Sequence, residues 1–174
     1  MPKLTEQLTE LDAQLTALFK EMEGYTEAQL NAKPSENAWS ATQVMHHLML
    51  SEKYSVQYCR KKLSFNPKLK KANWRTNLSY YLLDFYLWLP VKIGAPKMIA
   101  TPMLPVHSTL PDIKKEWAIL RKDLHLFIKE TPAELFDKEL YKHPLIGRMT
   151  IGGMVHFFQG HFKRHHRQIK RTLK

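Results

Sequence analysis

Two histidines one helical turn apart, His161 and His165, lie in the stretch Gly160-His161-Phe162-Lys163-Arg164-His165-His166-Arg167-Gln168-Ile169. The spacing predicts a helix over 151–173 with an apolar face running through Met154, Phe158, Ile169 and Leu173. His161 and His165 complete that face. An i, i+4 pair projects both imidazoles from one side of a helix, about 6 Å apart at Cβ, a spacing suited to two ligands of one metal ion. Imidazoles on a core face need hydrogen-bond partners or a shared cation, because burying an unpaired polar group is costly. The same test finds a third. After Trp39, Ser40 and Gln43 are spaced as a capping box, and the helix they open turns Val44, His47/Leu48, Ser51, Tyr54/Ser55 and Tyr58 inward, with His46 about 100° away.

Three neutral imidazoles leave a fourth coordination position open, the arrangement of a catalytic zinc site. A water there acquires a pKa near about 7, and a thiol there is activated as thiolate. All-imidazole ligation suits Zn, Ni, Fe or Cu, and the residues do not choose among them. A hydrogen-bonded core trio without metal is the alternative. Glu52, five residues after His47, is the candidate catalytic carboxylate, as general base or as partner to a ligand, with a solvated helix residue as the other reading. Ser51 and Tyr54 lie nearer by helical phase. His46 and His166 are expected to face outward and His156 to lie off the ligand face; His107, His125 and His143 receive no role. Cys59, the one cysteine, excludes an internal disulfide and reads as packing.

These side chains need helices to hold them. Leu4, Leu8, Leu11, Leu15, Leu18 and Met22 recur at intervals of three and four, which predicts an amphipathic helix over 3–23. Thr26 and Gln29 form a capping box for a short helical turn. The His47 helix covers 41–63, 64–79 reads as a basic loop, and 80–89 as a buried helix or an exposed interaction surface. Its aromatic cluster, Tyr80, Tyr81, Phe85, Tyr86 and Trp88, suits a core or dimer surface or a substrate cage. Five prolines from Pro90 to Pro111 break up the next stretch. Helix resumes over 111–130, Thr131 to Glu134 reads as a capping box with proline at the first helical position, and Thr150 caps the last helix despite Gly152 and Gly153. No strand alternates clearly. The chain therefore reads as a single all-α domain over 1–174.

With 174 residues, 44% hydrophobic and 25% charged, the composition is that of a globular protein with a real core. The N-terminus lacks the apolar run of a secretory signal, and Tyr80 to Pro90 is too short to cross a bilayer, so a cytoplasmic protein with no membrane partner is expected. Lys and Arg number 27 against 16 Asp and Glu, a net +11, with local excesses over Arg60 to Arg75 and Lys163 to Lys174. Such patches attract nucleic acid or anionic substrates, or form a solvated face. With no nucleic-acid motif in the chain, nucleic acid is not the expected partner.

Trp39-Ser40 followed by His47-Leu48, the run His143 to Thr150, and His161-x-x-x-His165-x-x-Gln168-Ile169 together resemble the DinB/YfiT-like superfamily of metalloenzymes, over most of the chain. The resemblance implies a four-helix bundle of down-up-up-down topology, often a homodimer. It further implies a divalent metal (Zn, Ni or Fe) on His47, His161 and His165. Relatives include thiol transferases using bacillithiol, mycothiol or glutathione, a maleylpyruvate isomerase and metal-dependent hydrolases. The expected function is thus hydrolysis or thiol transfer on a small molecule, with a low-molecular-weight thiol as one partner. A non-catalytic metal-binding or stress-response module of the same fold is the alternative. Phe162 and Arg164 depart from the residues many relatives carry there, and 60–106 aligns with no counterpart.

Overall fold

A computed structural model describes residues 2–89 and 103–174. Most of the proline-broken segment, residues 90–102, lies outside the described residues. Helix α1 (Pro2–Met22) buries Leu4, Leu8, Leu11, Leu15, Leu18 and Met22, the set its periodicity names. Each fully buried leucine contributes roughly 1.5–3 kcal/mol. Helix α2 (Glu27–Asn31) is opened by the reciprocal Thr26–Gln29 capping box. Helix α3 (Ala41–Leu63) begins at Ser40, whose hydroxyl accepts from the Gln43 amide while the Gln43 side chain accepts from the Ser40 amide.

Helix α4 (Trp74–Trp88) starts six residues before the apolar run, inside the stretch expected to be loop. Asn73 and Thr76 form a capping box there, and Thr76 also donates to Glu139, which anchors the start. Helix α5 (Leu110–Glu130) is capped by Thr109 and buries Ile113, Trp117, Leu124 and Phe127. The expected capping box at Thr131 does not form. The Thr131 hydroxyl instead donates back to the Phe127 carbonyl at 2.7 Å, ending α5, and only a 3-10 turn, Ala133–Leu135, follows. A small antiparallel hairpin pairs β1 (Tyr141–His143) with β2 (Gly147–Met149), strands too short for alternation to reveal. Helix α6 (Ile151–Thr172) closes the chain.

The chain is mostly helical. Helix α3 packs on α5 and α6, α1 on α6, and α4 lies along α6. The core runs between them through Leu11, Met45, Trp117 and Phe162, the last two with ring centroids 6.0 Å apart. Two glycines of α6 exist for close approach. A Cβ at Gly153 would sit 2.5 Å from the Tyr80 hydroxyl, and one at Gly160 would sit 2.8 Å from a Leu87 methyl. Both seat α4 against α6. Among the described residues, no helix is long and apolar enough to cross a membrane.

Candidate metal centre

Helices α3 and α6 meet with their histidine-bearing faces opposed. At the start of α6 the Thr150 hydroxyl accepts from the Gly153 amide at 3.0 Å, and Tyr80 of α4 hydrogen-bonds Thr150. That clamp sets the phase of α6, and Met154, Phe158 and Ile169 are buried as the spacing requires. On α3, Val44, Leu48 and Cys59 are buried on the same side as His47.

The side chains converge. One ring nitrogen from each of His47, His161 and His165 lies within 4.8 Å of the other two. The Nε2 atoms of His47 and His161 are 3.2 Å apart. Ring centroids are separated by 5.1 Å for His47–His161, 4.6 Å for His47–His165 and 4.4 Å for His161–His165. Trp39 packs on His47 at 5.0 Å, and Phe157 stacks on His161 at 4.9 Å, so both rings are held by aromatic walls. His47 and His161 are buried, and His165 is nearly so.

Burial, reinforced by the neighbouring imidazoles His165 and His47, holds His161 well below the usual histidine range. Burial likewise pushes His165 down to about 3, with His47 adding to the effect and the Gln168 hydrogen bond opposing it. Both are therefore neutral near pH 7, the form that offers a lone pair to a metal. His165 Nδ1 lies 2.8 Å from Gln168 Oε1, an acceptor, so Nδ1 carries the proton and Nε2 is left for a ligand bond.

The donor set fits a divalent cation. Three nitrogens at zinc-bond length in tetrahedral disposition stand roughly 3.3 Å apart, close to the 3.2 Å between His47 and His161. With three imidazoles and no carboxylate, the cluster suits a borderline-soft divalent ion better than Mg or Ca.

Comparison with known proteins agrees. The profile of the DinB superfamily matches residues 7–169, nearly the whole chain. The chain belongs to the DinB superfamily. It is also 25% identical over 161 residues to the uncharacterized protein YuaE of Bacillus subtilis (strain 168), covering 87% of this chain and 88% of that protein.

Other expected positions of this DinB-superfamily protein fall elsewhere. Glu52 is not brought to the histidines. Its carboxylate receives Arg121 Nε at 3.2 Å and Nη2 at 3.0 Å, both side chains being buried, while Arg121 Nη1 donates to Asp12 at 2.7 Å. That pair ties α1, α3 and α5 together. His46, expected to face outward, is buried, with Nε2 2.7 Å from the Ser108 hydroxyl, because the chain before α5 folds over it. His166 is half-buried and pairs with Glu21, and His156 pairs with Asp84 off the ligand face, each at 2.8 Å. Cys59 is buried, and burial pushes its thiol up to about 12, which removes it as a nucleophile near pH 7.

Sequence reasoning missed His143. It sits at the end of β1, buried, with its ring 4.5 Å from that of Phe157. Its Nδ1 accepts from the Leu145 and Ile146 amides at 3.3 Å each, which leaves the ring proton on Nε2. Burial lowers its pKa to about 4, and its charge state in turn influences His161. The signal was present in His143-Pro144-Leu145-Ile146-Gly147, a turn whose amides must find an acceptor.

Proposed function

We propose that this protein is a cytoplasmic metal-dependent enzyme acting on a small molecule by hydrolysis or thiol transfer, with His47, His161 and His165 as the ligands of a divalent ion. The observation that carries the reading is the convergence of three imidazole nitrogens within 4.8 Å of one another, from two helices and 114 residues apart in sequence. A structural zinc site fills all four positions with protein donors, whereas a three-donor set leaves room for a reactant. When bound, such an ion supplies Lewis acidity and lowers the pKa of a water or thiol presented to it.

The chain's own residues would do the rest. Gln168 holds the tautomer of His165, and Trp39 and Phe157 keep the His47 and His161 rings in place and exclude water from their far sides. His165, the least buried of the three, marks the side from which a reactant would approach. His143, neutral and protonated on Nε2, is available as a hydrogen-bond donor to a substrate oxygen or sulfur from the β1 side. Glu52 is left out of this reading because Arg121 already occupies both its oxygens.

The test has two stages. Reconstitution with Zn(II) or Ni(II) followed by elemental analysis is expected to give about one ion per chain, with loss in His161→Ala and His165→Ala. Loaded protein is then screened against esters, amides and thiol–electrophile pairs, with turnover expected to track metal occupancy. No retained metal overturns the site. Metal without turnover across the screen favours a non-catalytic metal-binding module.

A further inference from the structure

Helix α4 has two unlike faces. Leu83 and Leu87 are buried against the bundle, while Trp74, Leu78, Tyr81, Leu82, Phe85 and Trp88 point away from it and are 49–74% exposed. These six side chains form one continuous strip along 15 residues of helix, about 22 Å long. Scattered apolar residues on a surface need no explanation, but a contiguous strip of this size marks an interaction site.

The charge along the sequence that contains this helix is just as uneven. From Lys53 to Pro111 there are ten Lys or Arg and one acid, Asp84, so this third of the chain carries nine of the eleven net positive charges. Asp84 is itself paired with His156. Exposed Lys68 and Lys70 lead into the N-terminal end of the strip, where Lys71 pairs with Asp137, Thr76 donates to Glu139, and the Arg75 guanidinium lies 5.3 Å over the Trp74 ring. At the opposite end, Arg164 and Arg167 of α6 donate to the Leu87 carbonyl, and Arg164 also to that of Leu89. Cations therefore outnumber acids at both ends of the strip.

We propose that the outward face of α4 docks this protein on an anionic phospholipid surface. Tryptophan and tyrosine favour the level of the lipid headgroups, leucine and phenylalanine enter the acyl boundary, and flanking lysines and arginines meet anionic headgroups. A helix lying in the interface needs an apolar face rather than membrane-spanning length, so docking is compatible with the lack of a spanning helix among the described residues. A second copy of the chain suits the strip less well. With cations at both ends, either parallel or antiparallel pairing sets like charge against like. Single-stranded nucleic acid, which stacks its bases in a basic groove, finds here a convex helix face with two leucines in it.

Flotation of the whole protein with vesicles tests the proposal. Phosphatidylcholine vesicles containing about one third phosphatidylglycerol are expected to bind at least about tenfold more protein than pure phosphatidylcholine, with a blue shift of tryptophan emission and weakening by salt. The double variant Tyr81→Glu/Phe85→Glu is expected to abolish binding. Lys68→Glu/Lys70→Glu is expected to reduce it about tenfold or more. All four positions are exposed, and helical circular dichroism with an unchanged melting temperature confirms that the variants fold. Equal binding to both vesicle types, or full binding by the folded aromatic double variant, overturns the proposal. So does a concentration-dependent dimer that this variant abolishes, or tighter binding to oligothymidine than to the anionic vesicles. Metal content plays no part in these outcomes.

Discussion

Gln168 Oε1 accepts the Nδ1 proton of His165 at 2.8 Å across one helical turn, and so leaves the lone pair on Nε2 for a ligand bond. The carboxamide thereby acts on metal affinity without touching the ion. Gln168→Leu is expected to lower Zn(II) affinity 10–100-fold, as loss of such ligand-orienting bonds typically does, while Gln168→Glu retains it. Competition against a chromophoric chelator reads the difference. Unchanged affinity in a folded Gln168→Leu protein would show that packing alone orients His165.

Acid should destabilise the metal-free protein. In the unfolded chain the histidines titrate near about 6.5. In the folded chain burial holds His143 at about 4, His165 at about 3 and His161 well below its ordinary value. Between those values the unfolded state binds more protons, so stability is fully present above about pH 6.5 and is lost as pH falls toward 3. Each such histidine contributes up to about 1.4 kcal/mol per pH unit within its window. Urea midpoints measured from pH 7.5 to 4 should fall accordingly, and His143→Gln should flatten the slope by about one proton. A flat profile would mean that the three rings are accessible to protons in the folded state.

The parts legible in the sequence were those governed by local periodicity. The leucine repeat of α1, the Ser40–Gln43 box and the i, i+4 histidines of α6 all appear where spacing places them. Failures arose where a distant partner decides. The start of α4 depends on Thr76 meeting Glu139, 63 residues away, and burial of His46 depends on Ser108. Glu52, readable as a solvated helix residue, is instead buried because Arg121, 69 residues on, grips it. Gly153 reads as a weak point in a helix, and only the tertiary structure shows Tyr80 lying across it.

The two glycines of α6 should answer differently to alanine. In a helix interior the exchange gains about 1 kcal/mol of propensity. At Gly160 the obstacle is one methyl at the end of the flexible Leu87 side chain, so Gly160→Ala is expected to be near neutral or slightly stabilising. At Gly153 the new Cβ meets the rigid Tyr80 ring at 2.5–2.7 Å, and moving that ring also breaks its hydrogen bonds to Thr150. Overpacking of this kind costs roughly 1–3 kcal/mol, more than propensity returns, so Gly153→Ala should lower the melting temperature. Thermal melts of the two variants side by side check the contrast. Equal behaviour would mean that α4 moves as a unit away from α6.

Glu52 separates a structural role from a chemical one. Glu52→Gln removes the charge that faces Arg121 while Asp12 still holds the other side of the guanidinium. Breaking a buried pair by removing one partner typically costs about 3–5 kcal/mol, because the remaining charge is left in a poor environment. Asp12 is half-exposed and offsets part of that, so a loss toward the lower end is expected, with Zn(II) stoichiometry unchanged. Replacing both members, as Glu52→Leu/Arg121→Met, should recover much of the stability, since no uncompensated charge is then buried. Chemical denaturation with metal analysis on each variant provides the reading. Wild-type stability in Glu52→Gln together with lost turnover would instead make this carboxylate the base, acting through a movement that frees it from Arg121.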